Sequence, residues 1–264
     1  MGASQSRWAQ QCRPSSRPEG SVGNRPLDHQ DGCFECTRSS LAAVIRARFI
    51  RARFQGSEQR RIGLTGGIAT GKSTVGQLLA GRFGLPVLDA DLYARGALAP
   101  GSSGARAVLA RYGEPVAAKA VSAKAVAAGA GDAIDRAALG RIVFADPVER
   151  LWLEQLVHPL VRQRFENELQ RLAHAPVVVL MIPLLFETGL ESLCSEVWLV
   201  TCSPETQLQR LIGRDGLPEH EARARIAAQW PLARKQALAD RLISNDGDPE
   251  ALEQQLAAAL ALNP

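Results

Sequence analysis

The chain has 264 residues with ordinary fractions of hydrophobic (46%) and charged (22%) residues, enough for a substantial core in one main domain with appendages. It contains no run of about 18 apolar residues and no apolar N-terminal stretch, which excludes a membrane-spanning helix and argues against a signal peptide. The net charge of +4 arises in residues 1–60, which contain ten Arg and only five Asp or Glu. It therefore says little about the ligand that the rest of the chain binds.

The first 58 residues differ in composition from the rest of the chain. Residues 1–40 are rich in Ser, Arg, Gln, Gly and Pro, a composition typical of disorder. Residues 41–54 alternate apolar residues with Arg, so they could form a basic amphipathic helix at a membrane surface or in a transit peptide, or have no settled role. We predict a basic, disordered leader over residues 1–58 and a folded domain over residues 59–264.

Short apolar runs alternate with helical patterns from Arg61 onward. The predicted strands are 61–65, 86–90, 176–182, 196–201 and 241–245. The longest helical stretch between them runs from about residue 134 to 173. This alternation predicts an α/β fold in which helices cover both faces of a parallel sheet.

The first predicted strand leads into the sequence GGIATGKS, residues 66–73, which we call the phosphate-binding loop. It matches G-x-x-x-x-G-K-[ST] between a strand and a helix, where glycines let backbone N–H groups approach phosphate. Lys72 would reach the β- and γ-phosphates and the Ser73 hydroxyl would bind Mg²⁺. The candidates for ATP binding are Gly67, Ala69, Thr70, Gly71, Lys72, Ser73, Thr74 and, farther along the chain, Arg210.

The second predicted strand ends in LDAD, which places Asp89 and Asp91 at the carboxyl edge of the sheet. On an extended chain the two carboxylates face the same side, and one could accept a proton from a hydroxyl that attacks the γ-phosphate. Asp91 is the first candidate for this base, whereas Asp89 could only position Mg²⁺-bound waters. The alternative is that Asp91 caps the helix that follows.

The segment 201–226 is dense in Arg, with Arg210 and Arg214 four residues apart on one helix face. In a phosphotransferase such arginines close over the transferred group as a lid and stabilise its charge. The alternative is a solvated basic face, since Glu219 and Glu221 lie nearby.

Other side chains are weaker candidates. His158 lies among apolar residues and could be structural or contact a substrate. Pro183 is expected to end the third strand, and Glu187 could face either the cleft or solvent. Five cysteines, an odd number, favour a reducing, cytoplasmic compartment, and the 5% aromatic content argues against a nucleic-acid partner.

Several stretches together resemble the dephospho-coenzyme A kinase family. They are LTGGIATGKSTV, VLDADLYAR, DRAALGRIVF with HPLV, IPLLFE, SPETQLQRLIGRD and AAQWP followed by ADRLISNDG. The resemblance covers roughly residues 61–262 and implies a P-loop kinase with a five-stranded parallel sheet. It further implies a helical substrate-binding insertion at about 92–175 and a lid at about 205–235. Thr70 and Gly96 depart from the family's usual residues, without touching the chemistry.

The resemblance implies ATP-dependent phosphorylation of the ribose 3′-hydroxyl of dephospho-coenzyme A, the last step of coenzyme A biosynthesis, with Mg²⁺ and by a monomer or small homo-oligomer. Lys72, Asp91 and Arg214 would be catalytic, with Asp91 as the base and Arg214 as the lid arginine. The expected substrate-binding residues are Asp89, Asp91, His158 and Gln229, although His158 and Gln229 could be structural. The alternatives are another small-molecule P-loop kinase, acting on a nucleotide or a sugar acid, and a non-catalytic nucleotide-dependent switch.

Overall fold

The computed structural model describes residues 59–118 and 133–262. The predicted leader, with its amphipathic segment 41–54, lies outside the described residues, as does the part of the predicted insertion between residues 119 and 132. Within the described ranges, no helix has the length and apolar character needed to cross a membrane.

The five predicted strands form one sheet. They are β1 (Arg60–Gly66), β2 (Val87–Asp89), β3 (Val177–Met181), β4 (Glu196–Thr201) and β5 (Arg241–Ser244). They pair in the order β2-β3-β1-β4-β5, and every pairing is parallel. The predicted five-stranded parallel sheet is therefore confirmed, with strand ends within one or two residues of the predicted ones. Pro183 follows the end of β3 as expected, since proline has no N–H for the ladder.

Helices surround this sheet. They are α1 (Lys72–Gly81), α2 (Ala90–Ala97), α3 (Ser103–Tyr112), α4 (Arg136–Ala145), α5 (Pro147–Arg171), α6 (Pro204–Asp215), α7 (Glu219–Ala227), α8 (Leu232–Gln236) and α9 (Pro249–Ala261). Short 3₁₀ turns occupy Glu114–Val116 and Leu190–Leu193.

Two apolar cores lie on opposite faces of the sheet. On one face, Val161, Phe165 and Leu169 of α5 pack against Val178 and Leu180 of β3. On the other face, side chains of α1 and α9 cover Trp198, the largest fully buried residue. Strand residues therefore alternate between two buried faces, which explains their nearly continuous apolar sequence.

The helical stretch predicted from 134 to 173 is not continuous. It divides into α4 and α5 at Asp146, whose backbone is extended (φ −128°, ψ 115°). A residue before proline is disfavoured in the helical conformation, and Pro147 is well placed as the first residue of a new helix. The Asp146 side chain accepts a hydrogen bond from Val148 N and caps α5.

The helices α3 to α5 have a small core of their own around Val108 and Leu139. A charged contact links α3 to α5. The Arg111 guanidinium donates to both carboxylate oxygens of Glu149, at 2.7 and 2.8 Å, and lies over the ring of Trp152. The Tyr112 hydroxyl donates to the same carboxylate. This bidentate pair fixes the angle between the two helices.

A buried ion pair lies at the edge of the sheet where the parallel strands begin. The Arg60 guanidinium contacts the Glu196 carboxylate and donates to Leu260 O at 2.8 Å. Arg241 contacts the same carboxylate at 3.2 Å and donates to Leu262 O. The two arginines thereby bind carbonyls at the end of α9, where a helix leaves its last acceptors unpaired.

Candidate active site

The phosphate-binding loop connects β1 to α1 at the carboxyl edge of the sheet. Gly71 and Ala69 both adopt left-handed backbone conformations, with φ of 91° and 60°. A Cβ atom on Gly71 would lie 1.8 Å from Nδ2 of Asn245, so only glycine fits there. Glycine in the motif thus allows close packing against Asn245 behind the loop, and it leaves the backbone in front of the loop accessible to phosphate.

Three amide side chains hold the loop from outside. Gln207 Nε2 donates to Ile68 O at 2.8 Å, and Asn245 Nδ2 donates to Thr70 O at 2.9 Å. Gln229 Oε1 accepts from Ile68 N at 2.8 Å. Of these three residues, only Gln229 was predicted from the sequence. Gln207 and Asn245 follow the ends of β4 and β5, and that position was the only sequence signal for them.

A cavity of about 480 Å³ opens in front of the loop. Six predicted ATP-binding residues of the loop and the first turn of α1 line it: Gly67, Ala69, Gly71, Lys72, Ser73 and Thr74. Four further predicted residues reach it from other segments: Asp91, Arg210, Arg214 and Gln229. The fold thus brings together residues that are up to 162 positions apart in the sequence (67 to 229).

Thr70 does not face this cavity. Its side chain is fully buried, and its hydroxyl donates to Gly67 O at 3.0 Å. The Thr70 side chain therefore supports the shape of the loop, and a contact between Thr70 and the nucleotide stays a prediction.

The Lys72 ammonium lies near two carboxylates. Burial lowers the pKa of Lys72, and the charges of Asp91 and Asp89 oppose that shift. A partly desolvated cation at the start of α1 faces the cavity, where it would interact strongly with an anionic ligand.

The two aspartates do not share one extended segment, contrary to the sequence interpretation. β2 ends at Asp89, and Asp91 is already in the first turn of α2. The cap is Asp89, whose side chain accepts from Asp91 N at 2.8 Å, so the alternative that Asp91 caps the helix is wrong. Asp91 lines the cavity, whereas Asp89 does not.

Arg210 and Arg214 lie one turn apart on α6 and both line the cavity. Arg210 donates to Asn245 O at 2.9 Å. Arg214 donates to Asp215 at 2.7 Å, which raises the pKa of its guanidinium, and its side chain is 56% exposed. The helices α6 and α7 pack through Leu208, Leu211 and Ala222 onto Ile68 and Ala69 of the loop. The helices of the predicted lid are thus in contact with the phosphate-binding loop.

A second cavity, also of about 480 Å³, adjoins the first. It is mainly apolar, and α2, α5 and the residues after β3 form its walls. His158 lines it, together with Glu154 and Thr188. Asp91, Pro183 and Gln229 line both cavities. Asp91 therefore lies between the phosphate-binding loop and a mainly apolar cavity, an arrangement suited to phosphoryl transfer.

Glu187 faces neither the cleft nor solvent, the two positions considered from the sequence. Its carboxylate lies 2.7 Å from Nζ of Lys235, and the Lys235 side chain is fully buried. Lys235 was not predicted from the sequence, because a lysine in a short polar helix gives no sign of burial.

Comparison with known proteins identifies similar chains. The model of the dephospho-CoA kinase family matches residues 60–250. A dephospho-CoA kinase from Synechococcus sp. (strain CC9605) is 59% identical over 206 residues, which cover 78% of this chain and 94% of that protein.

Two solved structures agree with this comparison. The crystal structure of TT1252 from Thermus thermophilus superposes with a TM-score of 0.64 at 39% identity, covering 78% of this chain and 99% of that one. Dephospho-CoA kinase from Campylobacter jejuni superposes with a TM-score of 0.56 at 26% identity, covering 76% and 95%.

Proposed function

The chain belongs to the dephospho-CoA kinase family, and from that premise we propose that it phosphorylates the ribose 3′-hydroxyl of dephospho-coenzyme A with ATP. The products are coenzyme A and ADP, in the last step of coenzyme A biosynthesis. The observation that carries this assignment is the shared lining of the two cavities, where Asp91 and Gln229 face both.

ATP occupies the first cavity in this proposal. The phosphate-binding loop surrounds its phosphates, and Lys72 offsets their negative charge in a partly desolvated site. Arg210 and Arg214 approach the transferred group from α6. Arg214 exchanges its contact with Asp215 for the oxygens of the transferred phosphoryl group, and it offsets the negative charge spread over them in the transition state.

Mg²⁺ accompanies ATP in this proposal. The Ser73 hydroxyl lies at the cavity, and an oxygen ligand of this kind suits a cation that keeps several waters. When bound, the ion would neutralise charge on the phosphates. The remaining steps depend on residues of the chain.

Dephospho-coenzyme A occupies the second cavity, where His158 and Gln229 are candidate contacts. Asp91 orients its 3′-hydroxyl toward the γ-phosphate and accepts the proton. Because the transition state of phosphoryl transfer is loose, the proton leaves late and orientation is the main contribution of the base. We further propose a cytoplasmic enzyme that is a monomer or small homo-oligomer, acts without nucleic acid, and uses α6 to α8 as its lid.

An ADP-release assay with a panel of acceptors tests this function. The panel contains dephospho-coenzyme A, nucleoside monophosphates and sugar acids, each with Mg-ATP. We expect rapid turnover of dephospho-coenzyme A only, with phosphorus NMR locating the new phosphate on the 3′-oxygen. Preferential turnover of a nucleotide or sugar acid would identify a different small-molecule kinase. ATP binding without turnover of any acceptor would favour a nucleotide-dependent switch.

A further inference from the structure

A buried ion pair joins two segments that border the proposed acceptor pocket. Lys235, on α8, is fully buried, and its Nζ lies 2.7 Å from Oε1 of Glu187. Glu187 lies in the turn that follows β3, and 16% of its side chain is exposed. The two residues are 48 positions apart in the sequence (187 to 235), so the contact is a tertiary one.

This pair has few supporting interactions. Within the described ranges, neither the Lys235 ammonium nor the Glu187 carboxylate has a hydrogen-bond partner outside the pair. A buried pair without further hydrogen bonds recovers little more than the cost of removing two charges from water. A pair of apolar residues would stabilise the fold equally well, so stability alone does not account for these two residues.

Each partner is attached to a wall of the active site. On the Glu187 side, Pro183, Leu184 and Thr188 line the second cavity. Thr188 N donates to Leu184 O at 3.0 Å, which keeps these residues in one compact turn around Glu187.

On the Lys235 side, helix α8 begins directly after Gln229, Trp230 and Pro231. Lys235 N donates to Pro231 O, and the Arg234 guanidinium lies 3.4 Å from the centre of the Trp230 ring. These contacts hold residues 230–235 together, and Gln229 is the residue directly before them. At its other end, Gln229 lines both cavities and accepts the hydrogen bond from Ile68 N.

We propose that Glu187 and Lys235 are positioning residues that hold Gln229 between the phosphate-binding loop and the acceptor pocket. The pair fixes the segment carrying Gln229 against the turn that forms the pocket wall. The position of the acceptor pocket relative to the phosphate-binding loop therefore stays constant. The identity of the substrate in this inference rests on the proposed function. The contact between Gln229 and Ile68 does not depend on that function.

The test uses the full chain with Lys235→Met, Glu187→Leu and the double variant. Each single change leaves one buried charge unpaired, and we expect a clear loss of melting temperature. The double change removes both charges, and we expect a melting temperature close to that of the wild type. If the pair positions Gln229, the double variant still shows a KM for dephospho-coenzyme A raised about tenfold or more, because small misplacements near a reacting group are costly. We expect a smaller change in kcat and in the KM for ATP.

A second measurement requires no acceptor. Hydrogen exchange of the Ile68 amide reports its bond to Gln229, and we expect faster exchange in the double variant and in Gln229→Ala. The matched control is Glu196→Gln, which breaks the other buried ion pair, at the amino edge of the sheet. It should lower the melting temperature and leave both the acceptor KM and Ile68 exchange unchanged.

The two hypotheses can fail separately. A double variant with wild-type stability, wild-type acceptor KM and wild-type Ile68 exchange would overturn the positioning role. Faster Ile68 exchange in the double variant would support it. If the wild-type chain does not phosphorylate dephospho-coenzyme A, the proposed function is wrong, and Ile68 exchange still decides whether the pair holds Gln229.

Discussion

The carboxylate of Asp89 accepts a hydrogen bond from the backbone N–H of Asp91 at 2.8 Å, so the first aspartate starts helix α2 and leaves the second one available. Among the described residues, no hydrogen bond engages the Asp91 side chain itself, which lines the cavity in front of the loop. The two aspartates of this short motif thus have different positions, and substituting each one in turn can test its role independently of the other.

Replacing Asp91 by Asn should lower kcat by about 10²–10⁴-fold, the usual contribution of a positioned general base. Asn keeps the size of the side chain but cannot take up the proton, so the melting temperature should stay unchanged. Replacing Asp89 by Ala should instead remove the cap and lower the free energy of unfolding by about 1 kcal/mol. Thermal melts and steady-state kinetics of both variants check this prediction. Full activity in Asp91→Asn would contradict the assignment of Asp91 as the base.

Replacing Lys72 by Ala should reduce turnover by about 10²-fold or more while the fold persists. The change removes a partly desolvated cation from the phosphate-binding loop, and loss of one well-placed charge stabiliser costs about this much. Kinetics at saturating Mg-ATP provide the measurement. The control is Arg82→Ala, which removes an exposed cation that pairs with Glu253 away from the cavity. Near-normal turnover in Lys72→Ala would mean that the loop serves another ligand.

The link between α3 and α5 predicts a pH-dependent stability. Hydrogen bonds from Arg111 and then Tyr112 lower the pKa of Glu149 from 4.5 to about 2. A carboxyl whose pKa is depressed on folding stabilises the fold above its unfolded pKa, and this stabilisation disappears as the pH falls toward the folded pKa. The gap in unfolding free energy between wild type and Glu149→Gln should therefore be constant above about pH 5 and narrow as the pH falls toward 2.

Urea denaturation across this pH range measures that gap. Glu166→Gln serves as the control, since it removes an exposed pair with Arg162 on the same helix. Its effect should be small at every pH. A gap that stays constant down to pH 2.5 would show that the Glu149 pKa is not depressed.

Deleting residues 1–58 should leave the melting temperature and turnover unchanged, whereas removing the next side chain should not. Gln59 is buried, and its amide donates to Leu172 O at 2.6 Å and to Ala175 O at 3.1 Å. Leu172 is the C-cap of α5 and its carbonyl also accepts from Ala175 N, whereas Ala175 lies in the turn between α5 and β3. We expect Gln59→Ala in the truncated chain to lower the free energy of unfolding by about 1–3 kcal/mol. A large loss on truncation alone would assign the leader a role in the folded domain.

The sheet and the phosphate-binding loop were predictable because their signals are local. Continuous apolar runs such as Val177–Met181 mark a strand covered on both faces, and the glycines of the loop mark a backbone that must approach phosphate. The division of the long helical stretch was also present in the sequence, in Asp146 followed by Pro147, but periodicity alone did not reveal it.

The supports of the site were not predictable, because they depend on tertiary contacts. Gln207 and Asn245 are ordinary polar residues until the sheet brings their amides to the loop carbonyls. The roles of Asp89 and Asp91 depended on where β2 ends, and a shift of one or two residues there decides which carboxylate caps the helix. Glu187 was expected to face the cleft or solvent because its partner, Lys235, follows 48 positions later.

The hydrogen bond from Arg60 to the carbonyl of Leu260 places the two ends of the described domain side by side, at the edge of the sheet opposite the phosphate-binding loop. The order of segments along the chain could therefore be changed without changing the fold. A circular permutant could join residue 262 to residue 59 through a short linker and begin at a new terminus between residues 118 and 133, whose flanks already meet through Ala118 N and Ala133 O at 2.9 Å. Such a rearranged gene should encode the same enzyme, and a fusion partner attached at residue 59 or residue 262 would lie at the edge of the sheet opposite the cleft.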